Sequence, residues 1–438
     1  MPRQRHEGSV DPHGHPHTHS HPHTHPHAPH VHPHGHVPHS HPPTERHASD
    51  PRPTRRDFFT KALGGALAGV SLMEAAFSRA AWARALAPTM ADAKIFDIEK
   101  VADGVYLAVA RVRRVINSSS AIFVGSKDVL VVDSQNSPSA TAALIAQMKK
   151  EVTTKPVRYV VNTHFHDDHI HGNSAYKALG SKVDFIATKT TADLMAQETD
   201  LRLKRTLGAI SNLKERAKEY LAKATSDAEK AFYAEQIRQW EAFQEEMKSF
   251  SVELPTITFA DAHVIKDSVH DLHIEWHGLA HTAGDVVVFC PQKKVVATGD
   301  MILGGMPYFP DAFPRLWPKT IDSVGSRGFD IILPAHGPIL RRNRMKNMRD
   351  YIEEHTAQVE EGMKAGKTID ELKASITMAT LRSLQVDGYG ESMAQIRDSL
   401  FPHWGRVFLG QKEAFQDSIS GVTGNIFRHI EREKKGKA

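Results

Sequence analysis

Residues 160–174 read VVNTHFHDDHIHGNS, and this stretch decides the fold. Four histidines and two aspartates fall within eight residues, from His164 to His171, directly after the apolar run VRYVVNT. That run is typical of a buried strand. The chain reverses in the loop after such a strand, so residues two apart can converge on one point while their neighbours face a second. The pattern His-x-His-x-Asp-His therefore predicts two metal positions, with the candidate ligands His164, His166, Asp168 and His169.

The loop offers each metal position too few ligands for a tetrahedral zinc site, so further ligands must come from elsewhere in the chain. Three residues of suitable type each follow an apolar strand-like run and stand beside small residues. They are His281 in GLAHTAGDVVVF, Asp300 in KVVATGDMIL and His336 in IILPAHGPI. Spacing alone does not identify them, but the repeated context favours a shared metal site over a polar loop or a low-complexity accident.

The bulk composition fits a soluble globular protein with a main domain and an added part. The chain has 438 residues, of which 40% are hydrophobic and 24% charged. Residues 1–87 hold 9 basic and 6 acidic residues, which leaves 46 basic and 45 acidic residues in the remainder. Because the net charge of this remainder is close to zero, it gives no electrostatic reason to expect nucleic-acid binding. With one cysteine, Cys290 in an apolar run, no disulfide within the chain can form.

The amino-terminal segment is rich in histidine and proline. Residues 6–47 contain 16 of the 29 histidines and almost no large apolar side chains. Such a segment buries too little surface to offset the entropy of ordering, so residues 1–53 are expected to be a disordered tail. Dense imidazoles can bind zinc, nickel or copper weakly. A metal-buffering role and a functionless or misassigned extension both remain open.

Residues 54–87 are similar to a twin-arginine signal peptide. Arg55 and Arg56 precede Phe58, Phe59 and a moderately apolar run, and small-residue sites such as residues 83–85 follow. Glu74 and Arg79 interrupt the run, which is a poor fit to a permanent membrane span. The segment indicates the twin-arginine export machinery as a partner, a periplasmic or secreted location, and no stable membrane insertion after cleavage. A cytosolic amphipathic helix is the alternative.

The remaining sequence predicts a layered α/β domain. Short β-branched runs, including residues 104–110, 120–134, 157–163 and 183–188, alternate with helical spacing at residues 139–151. Two charged, periodic segments over residues 190–250 predict an inserted helical hairpin, either a brace or a lid over a cleft. Strand-like runs then resume with ITFADAHVI and end with FDIILPAHG. Residues 345–438 are expected to be a helical carboxy-terminal region.

These motifs resemble the metallo-β-lactamase superfamily of metal-dependent hydrolases, over roughly residues 95–344 outside the insertion. The resemblance implies an αββα sandwich with a metal site along one edge of its two sheets. It also implies that His164, His166 and His281 hold one metal and that Asp168, His169 and His336 hold a second. Asp300 would bridge them. One departure is Ala280, because the family usually has glycine before the third ligand, and positive φ there would be costly for alanine.

Two cations in such a site would lower the pKa of a bridging water and polarise the substrate oxygen. The nitrogen and oxygen ligands suit two Zn2+ ions per chain, and Fe or Mn could use the same set. Asp168 is the candidate proton acceptor, while Asp133 and Asp285 would orient ligands or loops. His171 is expected near the site but not as a ligand. Tyr308, in GGMPYFPDAFPRLWP, either donates a hydrogen bond to a developing oxyanion or simply packs; Asn117 and Arg315 are weaker candidates.

The expected function is hydrolysis of a small ester, thioester, lactone or amide by hydroxide activated between two zinc ions. A β-lactam is an additional candidate substrate. Within the resemblance, aspartate at position 300 favours the glyoxalase II or lactonase ligand set, which alkyl sulfatases and phosphodiesterases share, over that of a dedicated β-lactamase. A mononuclear iron enzyme similar to persulfide dioxygenases is an alternative, and so is a non-catalytic metal-handling protein. The sequence does not indicate the oligomeric state.

Overall fold

The computed structural model describes residues 95–110, 118–180, 182–394 and 414–436. The predicted tail at residues 1–53, the signal peptide at residues 54–87 and the candidate Asn117 lie outside the described residues. An aromatic stretch at residues 401–408 also lies outside them. The proposed domain boundaries and the export signal therefore stay predictions.

Seven strands of the described chain form the first sheet, and they lie in chain order. These strands are β1 (Phe96–Ala102), β2 (Val105–Ala110), β3 (Ser120–Val124), β4 (Val129–Val132), β5 (Val157–Val161), β6 (Asp184–Thr188) and β7 (Ile257–Phe259). Strands β1 to β4 pair antiparallel, whereas β4 to β7 pair parallel. Parallel neighbours need long crossovers, which helices supply. The crossover helices are α1 (Pro138–Glu151) and the short α2 (Asp167–Ile170) and α3 (Asn173–Lys177). The last crossover is the hairpin of α4 (Lys189–Lys223) and α5 (Asp227–Glu246), followed by a 3-10 turn at Met247–Ser249.

The second sheet, counted over the same described residues, has six strands in the order β13-β12-β11-β10-β9-β8. Its strands are β8 (Ala262–Ile265), β9 (Leu272–Trp276), β10 (Val286–Cys290), β11 (Val295–Gly299), β12 (Ile331–Pro334) and β13 (Leu340–Arg341). β11 and β12 pair parallel, and the other pairs are antiparallel. The helices that follow are α6 (Trp317–Gly325), α7 (Arg342–Lys364), α8 (Ile369–Ser375) and α9 (Ala414–Lys434), with 3-10 turns at Pro291–Lys293 and Arg382–Gly388.

Three of the four apolar clusters in the described residues hold the layers together. The inner faces of both sheets share one core, with Leu107, Phe123 and Val132 from the first sheet and Ile274, Val288 and Ala297 from the second. The outer face of the first sheet packs against α1, α4 and α5. The outer face of the second packs against α6, α7, α8 and α9. Each fully buried side chain of this size contributes roughly 1.5–3 kcal/mol. The predicted αββα sandwich, with its helical hairpin and helical carboxy-terminal part, is confirmed.

The helical hairpin is built from capped amphipathic helices. The Thr188 hydroxyl caps α4 by accepting from the amide of Thr191, and the Ser226 hydroxyl caps α5 by accepting from the amide of Glu229. Along α4, buried apolar residues recur at helical spacing and face the buried aromatic residues of α5. The apolar side chains that meet are Leu203, Ile210, Leu213, Ala217, Tyr233, Trp240 and Phe243.

The run ITFADAHVI, which the sequence presents as one strand signal, is divided between the two sheets. Ile257–Phe259 forms β7 on the first sheet, and Ala262–Ile265 forms β8 on the second. Asp261 lies at the crossing, where its carbonyl accepts from the Trp276 amide at 2.9 Å. Alternating side chains continue through the crossing, so the pattern alone does not reveal it. In the described residues, no helix combines the length and apolar character needed to cross a membrane.

Candidate metal centre

The seven candidate ligands lie where strands end, at one edge shared by the two sheets. The motif loop begins after β5, and helix α2 carries Asp168 and His169. His281 lies in the loop between β9 and β10, Asp300 follows β11, and His336 follows β12. One part of the set thus comes from the first sheet and the other from the second. All seven residues are buried.

Within the described chain, the ligands form two groups whose donor atoms lie within 4.8 Å of one another. The first group contains His164, His166, His281 and Asp300, and the second contains Asp168, His169 and His336. Nδ1 of His166 lies 3.0 Å from Nε2 of His281. Nε2 of His336 lies 3.0 Å from Oδ2 of Asp168. The structure therefore brings together the residues that the family resemblance assigns to each metal.

Asp300 lies between the two groups. Its Oδ2 is 3.5 Å from Nε2 of His281, in the first group. Its Oδ1 is 3.3 Å from Nε2 of His336 and 3.5 Å from Nε2 of His169, both in the second group. One carboxylate oxygen thus faces each group, which is the arrangement that a bridging ligand requires.

The donor set fits divalent metal ions because its atoms are buried and lack other partners. Nε2 of His164 and His169, Oδ2 of Asp168, and both carboxylate oxygens of Asp300 are buried without a hydrogen-bond partner among the described residues. Polar atoms in a protein interior are normally paired, because an unpaired one costs about 1–3 kcal/mol. Their convergence on two points, with imidazole and carboxylate donors, is the chemistry of a site for zinc or a similar divalent ion.

Asp133 orients two of the ligands. Its Oδ2 accepts from Nδ1 of His169 at 2.8 Å, and its Oδ1 accepts from the Thr163 amide at 2.8 Å. The Thr163 hydroxyl also donates to Asp133, at 2.9 Å, and accepts from Nδ1 of His164 at 3.0 Å. Asp133 has a left-handed φ of 65°, which is uncommon for a residue other than glycine. The carboxylate therefore fixes both tautomers, so that each Nε2 can face a metal.

The other two ligands of the first group have different partners. Nδ1 of His281 donates to the carbonyl of Tyr308 at 3.1 Å, which leaves Nε2 toward the site. Nε2 of His166 donates to Oδ2 of Asp311 at 2.9 Å, which leaves Nδ1 toward the site. Both partners belong to the loop that follows Asp300. This loop therefore sets the orientation of half of the first group.

Nearby carboxylates give the histidines of the second group higher pKa values than those of the first, although both groups are buried. Burial first, and neighbouring cations second, hold the pKa values of His164 and His281 well below 6.5 and lower that of His166 to about 4. At His169 burial opposes protonation, but the carboxylates of Asp168, Asp133 and Asp300 outweigh it and raise the pKa. The pKa of His336 is also raised, against burial, by Asp300 and Asp168. Burial raises the pKa of Asp300 to about 6. The imidazoles of the first group are thus neutral, ready to ligate without losing a proton.

Two glycines allow the ligand loops to approach each other. Gly299 has a φ of +53°, and a Cβ there would lie 2.5 Å from the Thr163 hydroxyl, so only glycine lets Asp300 come this close to the motif loop. A Cβ at Gly172 would lie 1.6 Å from the Ser134 carbonyl oxygen and 1.7 Å from Oγ1 of Thr141. The chain after the motif is therefore packed directly against the loop that carries Asp133.

The remaining candidates lie around the ligands. The Tyr308 ring contacts the His166 ring at a centroid distance of 5.5 Å, and its hydroxyl faces Arg202. His171 is buried outside both groups, with Nδ1 donating to the Asn136 carbonyl at 3.3 Å. Asp285 accepts from the amide of Thr282 at 2.7 Å.

Two further sequence expectations concern a backbone angle and an arginine. Ala280 is not among the described residues with positive φ, so alanine before His281 imposes no strain. Arg315 is paired with Glu360 and Glu433 on the helical side and is not brought to the ligand groups.

Asp311 was missed by sequence reasoning, as was Arg202, whose guanidinium lies 2.9 Å from the Asp311 carboxylate. Asp311 belongs to the stretch GGMPYFPDAFPRLWP, where an acidic residue between prolines and aromatic residues beside the expected metals was an available signal. Arg202 lies in the middle of a charged helix, and nothing in the sequence distinguishes it from its neighbours.

The fold and these two groups together define a protein with a two-part candidate metal centre at the edge of an αββα sandwich. Residues 113–376 match the family described as the metallo-beta-lactamase superfamily, and the chain belongs to that superfamily. Over 274 residues it is 24% identical to the linear primary-alkylsulfatase of Pseudomonas sp. (strain ATCC 19151). That match covers 57% of this chain and 48% of the sulfatase, so the chain spans about half the length of this curated relative.

Two solved structures are similar to the chain, each at 18% sequence identity. The metallo-beta-lactamase from Pontibacter korlensis gives a TM-score of 0.43, with 59% of this chain and 99% of that chain covered. The DIM-1 metallo-beta-lactamase gives a TM-score of 0.42, with 59% and 97% covered.

Proposed function

We propose that the chain is a di-zinc hydrolase of an ester. The observation that carries this proposal is the position of Asp300 between two buried ligand groups, with one oxygen toward each. Two cations held in this way would supply hydroxide near neutral pH and polarise the substrate oxygen. The name of the sulfatase relative adds alkyl sulfate esters to the carboxylic esters, thioesters, lactones and amides that the ligand set suggests.

The two ligand side chains that keep some solvent exposure indicate the side from which a substrate reaches the ligands. Asp168 is 9% exposed and His166 is 5% exposed, whereas the side chains of His169, His281 and Asp300 are fully buried. A cleft of about 290 Å³ adjoins His166 through Asp311, which lies in its wall together with Phe165, and none of the seven candidate ligands lines it. Leu194 and Phe313 add apolar surface, and Arg205 and Arg432 add positive charge. Glu198 and Asp311 add negative charge to the same wall, so the lining is apolar in part and mixed in charge.

In this proposal, Asp168 accepts the proton of the attacking water. Burial opposes its ionisation, but His169 and His336 outweigh burial and hold the pKa of the carboxyl well below its usual range. Asp168 is therefore ionised in the metal-free site, and a metal ion in place of the imidazolium protons would keep it ionised. Asp133 keeps His164 and His169 in the ligating tautomer throughout. Tyr308 is the candidate for a hydrogen bond to the developing oxyanion. The resemblance of residues 54–87 to an export signal supports action in the periplasm or outside the cell.

The test combines elemental analysis with a substrate panel. The purified protein is analysed for zinc, iron and manganese per mole, and then assayed against a primary alkyl sulfate, a carboxylic ester, a thioester, a lactone and a β-lactam. About two zinc ions per chain are expected, with hydrolysis of at least one ester class. His281→Ala should abolish it, and His263→Ala, a partly exposed histidine outside both groups, should not.

Three outcomes would contradict the proposal. Zinc at trace level, or activity that survives in His281→Ala, would show that the ligand groups do not carry the reaction. About one iron per chain with oxygen consumption would replace hydrolysis with oxidation of a sulfur compound.

A further inference from the structure

Helix α4 contacts the metal-binding motif, residues 164–169, through side chains of the motif that are not candidate ligands. Within residues 164–169, four residues are candidate ligands, and the two that remain are Phe165 and Asp167. The Arg202 side chain contacts both: its guanidinium lies over the Phe165 ring at 5.0 Å, and its Nε lies 3.5 Å from Oδ1 of Asp167. One side chain from the helical hairpin thus contacts every residue of the motif that does not face a metal.

The same guanidinium holds the partner of a ligand. NH1 of Arg202 lies 2.9 Å from Oδ2 of Asp311, the same oxygen that accepts from Nε2 of His166 at 2.9 Å. About a third of the Asp311 side chain is exposed to the cleft, so His166 alone would hold it weakly. A charge-assisted bond to a planar guanidinium fixes both the distance and the direction of the carboxylate.

Arg202 is itself fixed in position. Only 19% of its side chain is exposed, and Phe165, Asp167 and Asp311 surround its head group. Asp167 is held in turn, because its Oδ2 accepts from the Thr206 hydroxyl at 3.0 Å. Thr206 lies one turn beyond Arg202 on the same helix. These contacts form a chain from helix α4 through Asp311 to the ring of His166.

We propose that helix α4 is a working part of the metal centre: Arg202 holds Asp311 on Nε2 of His166 and thereby sets the metal affinity of the first group. Arg202 is a positioning residue, since it acts through Asp311 and touches no ligand atom itself. The inference rests on metal binding by the proposed hydrolase and does not depend on its substrate. It gives the helical hairpin a role in metal retention, beyond bracing the fold or covering the cleft.

The test measures metal affinity separately from activity. Zinc dissociation constants of the full chain are obtained by competition with a chromophoric chelator for the parent and for Arg202→Met, Arg202→Lys and Asp311→Asn. Lys204→Met, an exposed position two residues away on the same helix, is the matched control. Thermal unfolding of each metal-free protein is measured in parallel, because it reports the bracing role alone.

Arg202→Met and Asp311→Asn should each lower the affinity for one of the two zinc ions by about 10–100-fold, which is typical for loss of a group that orients a ligand. Combining them should cost little more than either alone, because both break one chain of contacts. Arg202→Lys should give a smaller loss, since the ammonium keeps the charge but not the planar geometry. Lys204→Met should match the parent.

Unchanged affinity in Arg202→Met and Asp311→Asn, with only the unfolding temperature lowered, would overturn the inference and leave helix α4 as a brace. A parent protein that binds no zinc would overturn the proposed function, and this inference with it. The two failures are therefore distinguishable. Should Arg202→Met fail to fold, Arg202→Lys and Asp311→Asn decide the outcome by the same affinity measurement.

Discussion

Asp133 connects two candidate ligands to the first sheet through one carboxylate. It accepts directly from His169 and reaches His164 through the Thr163 hydroxyl. Its backbone has a left-handed φ, which asparagine also tolerates. Asparagine at this position therefore changes the hydrogen bonding without straining the loop. Its amide group would present a donor to Nδ1 of His169 and would favour the tautomer that carries its proton on Nε2.

We expect Asp133→Asn to lower the zinc affinity of the second group by about 10–100-fold, because Nε2 of His169 would carry a proton and could no longer offer its lone pair to the metal. Chelator competition measures the effect. Asp184→Asn is a suitable control, since Asp184 pairs with Arg158 in the first sheet and lies in neither ligand group. Affinities equal to the parent in both variants would show that Asp133 does not fix the His169 tautomer.

The candidate ligand set could be predicted from the sequence because metal chemistry admits few residue types. His164, His166, Asp168 and His169 stand in one motif, and the other ligands repeat one local context after a strand. Asp311 could not be predicted in the same way. Its role depends on a distance to His166 that the spacing of the two residues along the chain does not determine.

At the level of elements, Gly172 shows how closely the ligand loops pack. The Ser134 carbonyl that a new Cβ would meet is backbone and cannot rotate away. Gly208, in contrast, lies on the exposed side of helix α4, and a Cβ added there would have nothing within 4 Å. The two glycines therefore predict opposite effects of the same substitution.

Gly172→Ala should destabilise the protein by more than about 4 kcal/mol, or prevent folding, because overpacking against backbone is among the most severe single changes. Gly208→Ala should stabilise it by about 0.5–1 kcal/mol, since alanine loses less entropy in a helix. Chemical denaturation of both metal-free variants measures the two effects. A mild effect of Gly172→Ala would mean that the loop carrying Ser134 can move.

The helices and the strands that flank the motif could be predicted from apolar periodicity, because this periodicity reflects the burial of one face of each element. The division of ITFADAHVI between the sheets does not follow from it, since side chains alternate on either side of Asp261. Helix α4 was expected from its periodic apolar residues, but the position of Arg202 beside the motif depends on how the hairpin docks. Tertiary contacts decide both features.

At the level of the whole molecule, proton uptake and metal binding compete. His169 and His336 have raised pKa values, despite burial, because buried carboxylates face them. The second group of the metal-free protein therefore holds its protons to a higher pH than free imidazoles do. A zinc ligand must be deprotonated, so metal binding has to expel these protons.

We expect zinc binding to release protons and zinc affinity to rise with pH until the pH passes the raised pKa values of His169 and His336. Calorimetric titration in two buffers of different ionisation enthalpy measures the release. Equal heats in both buffers would contradict the prediction.

The first group makes the stability of the metal-free protein fall as the pH falls. The pKa values of His164, His166 and His281 are lowered by burial, to about 4 for His166. As pH falls below about 6.5, the unfolded chain binds protons that the folded chain does not, so stability falls. His169 contributes in the other direction: its stabilisation is complete below about pH 6.5 and is lost as pH rises through its raised pKa.

The supply of ligands from both sheets also determines when during synthesis the protein can acquire its metal. His164 and His166 leave the ribosome long before Asp300 and His336, and each group needs residues from strands that are made at different times. A nascent chain that ends before β11 holds neither group complete. The metal must therefore be captured after most of the core has been translated, in whichever compartment the two sheets first close on each other.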